Sequence, residues 1–260
     1  MSFEIIDFHT HPFIDAQDNI CRHQDVCHMN AEETRKMFSK MQVSHFCGSV
    51  ISYHKGENDT MWDKLRRNND AALKLRDLYN GAYIPGFHIH PDYVDESIAE
   101  IRKMSALGVK LIGELVPSYH GWSNYASESL SVLLDEAEKH DMIVNLHSQG
   151  NAEMDEMVKR HPNLTIVAAH PGELDQMQHH IARAKMSDNY YIDISGTAIF
   201  RYGALKYLVD AVGADRLLYG SDFPTCNPHM FLGGMLNNRQ LTDAQKEQIL
   251  SQNAKRLLKL

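Results

Sequence analysis

The chain has 260 residues, with 26 basic and 34 acidic side chains, a net charge of −8, and 43% apolar against 23% charged residues. That is the composition of a globular protein long enough to bury a full core, and it excludes a disordered chain or a fibrous repeat. The acidic balance disfavours a nucleic-acid partner, and no apolar run approaches the 18 or so residues of a membrane span. The start, Met1-Ser2-Phe3-Glu4, lacks the basic and apolar regions of a signal peptide, and four cysteines (Cys21, Cys27, Cys47, Cys226) are too few for a disulfide scaffold. A cytoplasmic protein acting on a small molecule is expected, with a homo-oligomer left open.

In chain order, eight short apolar segments read as strands: Glu4–Thr10, Val43–Ser52, Ala82–His90, Val109–Val116, Met142–His147, Leu164–His170, Tyr190–Ser195 and Leu217–Ser221. Their starts recur about every 30 residues, the spacing of a (β/α)8 TIM barrel of roughly 250 residues. Between them, Asn58–Tyr79, Asp95–Leu107, Ser127–His140, Asn151–Arg160, Glu173–Met186 and Ala204–Val212 read as amphipathic helices. Thr242–Leu260 opens with the capping-box pattern Thr242-Asp243-Ala244-Gln245. Strands alternating with helices imply a parallel α/β sheet, and residues 1–260 are expected to form one domain. A doubly wound open sheet is the rival, but its glycine-rich phosphate loop is replaced here by His9-Thr10-His11-Pro12.

Sixteen histidines are unusual, and several close apolar segments. Period two places Ile5, Asp7, His9 and His11 on one face of the first strand, which aims both imidazoles at the barrel mouth. The fourth strand ends in Ile112-Gly113-Glu114-Leu115, the fifth in Val144-Asn145-Leu146-His147, the sixth in Val167-Ala168-Ala169-His170 and the eighth in Tyr219-Gly220-Ser221-Asp222. A barrel gathers strand ends at its C-terminal face, and imidazole and carboxylate together suit zinc, manganese, iron or cobalt.

The order His-x-His, His, His, Asp on strands one, five, six and eight resembles the amidohydrolase superfamily. Leu218-Tyr219-Gly220-Ser221-Asp222-Phe223-Pro224 and Asn253-Ala254-Lys255-Arg256-Leu257 resemble its amidohydrolase-related branch, which includes the aminocarboxymuconate-semialdehyde decarboxylase-like enzymes. The resemblance covers nearly the whole chain. It implies metal ligands at His9, His11, His147 and Asp222, and an active-site histidine at His170. Gly113-Glu114 is similar instead to the strand-four glutamate of TatD-type hydrolases, where the carboxylate bridges two metals; an ion-paired glutamate at a strand end is the plain alternative.

The expected reaction is hydrolysis of a small ester, lactone, amide or phosphoester by metal-activated water, with Asp222 as acid–base and His170 polarising the substrate. Zinc is the first choice of ion and two ions are favoured, held by His9, His11, Glu114, His147, His170 and Asp222. The alternative is non-oxidative decarboxylation of a small carboxylic acid, and a non-catalytic metal-binding protein is a lesser one. His88, Tyr119, His120 and Arg201 are expected to contact substrate, Arg201 through a bidentate fork on an anionic group. Cys21, His23, Cys27 and His28 crowd the loop after the first strand and read as lid residues.

Overall fold

A computed structural model describes residues 3–14, 18–20, 29–53, 56–196 and 200–260. The Cys21–His28 loop lies outside these residues. Eight strands form one parallel sheet in sequential order: β1 Ile5–Asp7, β2 Val43–Ser49, β3 Tyr83–Phe87, β4 Leu111–Leu115, β5 Ile143–His147, β6 Thr165–Ala169, β7 Tyr190–Asp193 and β8 Leu217–Leu218. The sheet curls into a (β/α)8 barrel whose seam joins the two ends of the chain. There Phe8 N–H donates to Tyr219 O at 2.8 Å, Asp222 N–H to His9 O at 2.8 Å, and His11 N–H to Phe223 O at 2.6 Å.

Helices fill the intervals: α1 Ala31–Lys40, α2 Met61–Leu78, α3 Val94–Ala106, the single turn α4 Pro117–His120, α5 Glu128–Lys139, α6 Asn151–Arg160, α7 Leu174–Met186, α8 Ala204–Val212, α9 Pro228–Leu236, α10 Asp243–Glu247 and α11 Asn253–Leu258. All eight expected strands are present, with hydrogen-bonded cores shorter than their apolar runs. The capping box at Thr242 is formed, Thr242 accepting from Gln245 N–H and Gln245 answering. α1, which is not among the expected helices, opens with the same reciprocal cap, made by Asn30 and Glu33. No described helix is long and apolar enough to cross a membrane.

Two apolar clusters follow from the alternation of each strand. The larger joins Phe46, Tyr83, Ile112, Val144, Ile166 and Ile192 to helix residues such as Leu75, Ile101 and Leu133. The smaller takes Ile6, Cys47, Leu111, Ile143, Val167, Tyr191 and Leu218 from seven strands, the pattern by which a closed barrel fills its interior. Phe46 lies face to face with Phe38 at 4.5 Å and edge-on to Tyr79 at 5.2 Å. Phe46→Ala removes this packing and is expected to cost about 3–5 kcal/mol, read as a lower urea midpoint; a loss below about 1 kcal/mol would contradict the packing described.

Candidate metal centre

His9 and His11 follow β1, whose register against β2 shifts between Ile5 and Ile6, and both are fully buried. His9 Nδ1 lies 2.9 Å from Asp193 Oδ2, and His11 Nδ1 lies 2.9 Å from Ser49 O. Both partners are acceptors and hold a proton on each Nδ1, so Nε2 is the inward nitrogen of each ring, the one a metal ion would take. Those two Nε2 atoms stand 3.1 Å apart. Glu114 Oε2 lies 3.5 and 3.4 Å from them, and Asp222 Oδ1 lies 3.7 and 3.6 Å away. Imidazole nitrogens and carboxylate oxygens crowded in this way could hold a metal ion. The separations are those of donors sharing one ion at bonds of about 2.1 Å, whose tetrahedral edges are roughly 3.4 Å.

Glu114 reaches the mouth because of Gly113. At φ +95°, a Cβ on Gly113 would sit 2.1 Å from Asn145 O, so only glycine allows β4 to press this closely on β5 while its pairing register shifts between Ile112 and Leu115. The Glu114 carboxylate is buried, and its other oxygen, Oε1, faces His147 Nδ1 at 3.0 Å and His170 Nε2 at 3.6 Å. Burial alone would raise its pKa. The charge on His9 and hydrogen bonds from His11, His147 and His9 outweigh this and hold it well below the usual range. His9 balances the same pair of forces. Desolvation favours its neutral form, but Asp193 and Glu114 raise it well above an ordinary histidine. His147 is also raised, through its contact with Glu114 and against its own burial, whereas burial lowers His170.

His170 and Asp222 adopt left-handed backbone conformations, φ +65° and +59°. Such conformations are costly for side chains with a Cβ and gather at functional sites.

The cluster opens on a cavity of about 600 Å³ lined by Glu114, His147, His170, Asp222, Tyr53, Tyr119, Val116, Ser118, Ile20 and Thr225. The Tyr53 and Tyr119 rings meet edge to face at 5.7 Å and form an aromatic wall. A second hollow, about 700 Å³ between α1 and the start of β2, is lined by none of the cluster residues.

The residues expected at the metal converge as a group, and those expected at the substrate divide. Tyr119 lines the cavity and donates its hydroxyl to Ser52 O at 3.0 Å. His88 and His120 do not line it. They are buried behind Tyr119, edge to face at 5.0 Å, with His88 Nε2 on Val50 O. Burial lowers both, His88 to about 4, so they are neutral wall residues.

Arg201 departs further from expectation. Its side chain is 64% exposed and its guanidinium forms a fork on Glu173, with Nε 2.9 Å from Oε2 and Nη2 2.9 Å from Oε1. The bidentate geometry is present, but a surface carboxylate takes it, and Arg201 does not line the cavity. Arg201→Lys is therefore expected to leave KM and kcat within about twofold; a clear rise in KM would return this residue to the substrate.

Asp193 and Ser195 were not singled out from sequence, although alternation along β7 places both on the mouth face with Tyr191. Asp193 is fully buried and receives His9 Nδ1–H, Asn145 Nδ2–H at 3.2 Å and the Ser195 hydroxyl. Burial pushes its pKa up, but the His9 charge dominates and brings it to about 2. A carboxylate behind a metal-facing imidazole fixes its tautomer and strengthens it as a donor.

A family model described as amidohydrolase matches residues 6–260. The chain belongs to the amidohydrolase family. No curated protein sequence matches it significantly. Solved structures of similar fold include 2,6-dihydroxybenzoate decarboxylase from Rhizobium, 18% identical with a TM-score of 0.73 over 99% of both chains. The 5-carboxyvanillate decarboxylase of Sphingomonas paucimobilis is 14% identical, TM-score 0.69, over 100% of both chains. A dihydroxybenzoic acid decarboxylase from Polaromonas sp. JS666, solved with manganese and 2-nitroresorcinol, is 14% identical, TM-score 0.72, over 100% of this chain and 98% of that one. At these identities the likeness concerns the fold. For this amidohydrolase the barrel and the convergence of strand ends stand as anticipated, and the reaction rests on the site.

Proposed function

We propose that this amidohydrolase is a metal-dependent, non-oxidative decarboxylase of a small aromatic carboxylic acid. The observation that carries the reading is the cavity. Its about 600 Å³ is within the range of small-ligand sites, with the Tyr53–Tyr119 wall facing a cluster of metal-competent donors. A flat ring with a carboxylate at one edge matches both surfaces, and decarboxylases of hydroxylated benzoates share the fold.

His9, His11, Glu114 and Asp222 would hold one divalent ion, zinc or manganese. When bound, the ion supplies Lewis-acid charge that holds and polarises an anionic oxygen of the substrate. His170 lines the cavity and is kept neutral by burial. On a hydroxylated ring its Nε2 would first take the phenolic proton and then pass it to the ring carbon that bears the carboxylate; the C–C bond then breaks, its electron pair returns to the ring, and carbon dioxide leaves. Tyr53 and Tyr119 would hold the ring and exclude water, and His147 would remain hydrogen-bonded to Glu114.

Incubation of the metal-loaded protein with a panel of hydroxybenzoates in D2O tests this. Carbon dioxide release with one deuterium at the vacated carbon is expected. No release from any aromatic acid, with turnover of esters or lactones, would overturn it. One observation favours that second, hydrolytic reading. Glu114 belongs to two donor triads, one with His9 and His11 and the other with His147 and His170, as a carboxylate bridging two ions would.

A further inference from the structure

We infer that Ser195 is a positioning residue that fixes the tautomer of His170, so that in the neutral ring Nδ1 carries the proton and Nε2 faces the cavity bare. Hydrogen-bond direction decides the matter. Around Asp193, the side chains of His9 and Asn145 and the backbone N–H groups of His170 (3.4 Å) and Ser195 (3.0 Å) all donate. A carboxylate surrounded by donors is an acceptor on every side. The Ser195 hydroxyl, in contact with Asp193 Oδ1, must therefore spend its single proton there.

What remains on Ser195 Oγ is lone pairs, and His170 Nδ1 lies 3.0 Å from them. A bare nitrogen at that distance would set lone pair against lone pair, so Nδ1 carries the hydrogen. The adjacent residue makes the placement rigid. Gly196 has φ +65°, and a Cβ there would come within 2.3 Å of His170 Nδ1; the imidazole rests directly on this backbone. On its other side His170 stacks on His9, with centroids 5.1 Å apart and an interplanar angle of 25°. The Asp193–Ser195 pair thus fixes the proton positions of the metal-facing His9 and of His170 together, from one strand end.

For the decarboxylation proposed above, this inference sets an order at the same histidine: Nε2 must accept a proton before it can deliver one. The tautomer itself rests only on the hydrogen bonds, so its test requires no substrate.

The full chain, 15N-labelled at histidine and loaded with one equivalent of zinc, is examined by long-range 1H–15N correlation, with the His170 signals identified by their loss in His170→Gln. The expected result is a protonated Nδ1 and an unprotonated Nε2. In Ser195→Ala the Nε2–H form should appear at a comparable population while zinc stoichiometry is unchanged, and Ser195→Thr, which keeps the hydroxyl, should restore the single tautomer. Gly196→Ala is a second probe and should broaden or shift the His170 signals without loss of zinc. A protonated Nε2 in the wild-type protein, or a tautomer indifferent to Ser195→Ala, would overturn the inference. Absence of decarboxylase activity with the tautomer as described would count against the function alone.

Discussion

Replacing His9 and His11 together by alanine is expected to abolish metal binding and lower turnover by at least about a thousandfold, in a barrel that still folds. Both imidazoles point at the same position, their Nε2 atoms 3.1 Å apart, and their loss leaves Glu114 and Asp222 as the remaining described donors there. A site that loses two donors keeps neither its ion nor the several kcal/mol of charge stabilisation the ion provides, at about 1.4 kcal/mol per tenfold in rate. Folding should survive because the apolar clusters contain neither residue. Removal leaves Glu114 and Asp193 as buried carboxylates with fewer partners, so a stability loss of about 1–3 kcal/mol is expected, short of unfolding. Elemental analysis and circular dichroism on the same preparation check both parts; full metal content in the double variant would remove His9 and His11 from the centre.

The second large effect is at Glu114. Protein loaded with zinc or manganese and freed of excess is expected to hold one equivalent, and Glu114→Gln to weaken it by at least about a hundredfold. The amide keeps the shape of the side chain but removes the negative charge that lies 3.4–3.5 Å from both Nε2 atoms. Competition with a chelator of known affinity reads the change. Two equivalents in the wild-type protein, falling to one in the variant, would assign the His147–His170 triad a second ion and favour hydrolysis over decarboxylation. One equivalent untouched by Glu114→Gln would make Glu114 an ion-paired glutamate and nothing more.

The sequence disclosed the barrel because eight apolar segments alternate with amphipathic ones, and it pointed to the candidate cluster because the relevant side chains close those segments. His9, His11, Glu114, His147, His170 and Asp222 lie at the ends of β1, β4, β5, β6 and β8, and strand ends converge in this architecture whatever the loops do. Arg201 was misplaced because direction within a loop is not periodic: being near the end of β7 in sequence did not reveal that Glu173 would take the guanidinium. His88 and His120 were misjudged for a related reason. Their pattern matches that of His9 and His11, and only the position of Tyr119 in front of them makes them wall rather than lining. Asp193 and Ser195 were legible in principle, since alternation along β7 put them on the mouth face, but an aspartate behind a histidine announces itself only once the histidine's own direction is known. Tyr53 and Thr225 carry no such signal.

The seam of the barrel has a consequence for how the protein comes into being. Asp222 N–H donates to His9 O and His11 N–H to Phe223 O, so the hydrogen bonds that close the cylinder belong to the same short stretches that present His9, His11 and Asp222. Some two hundred residues of chain separate the two sides of this joint. On a ribosome the first two donors emerge early and wait, and the partner that completes their corner arrives only after seven strands have been made. Ion capture would then report that the cylinder has closed, and a chain halted before β8 would carry the histidines without the pocket they serve.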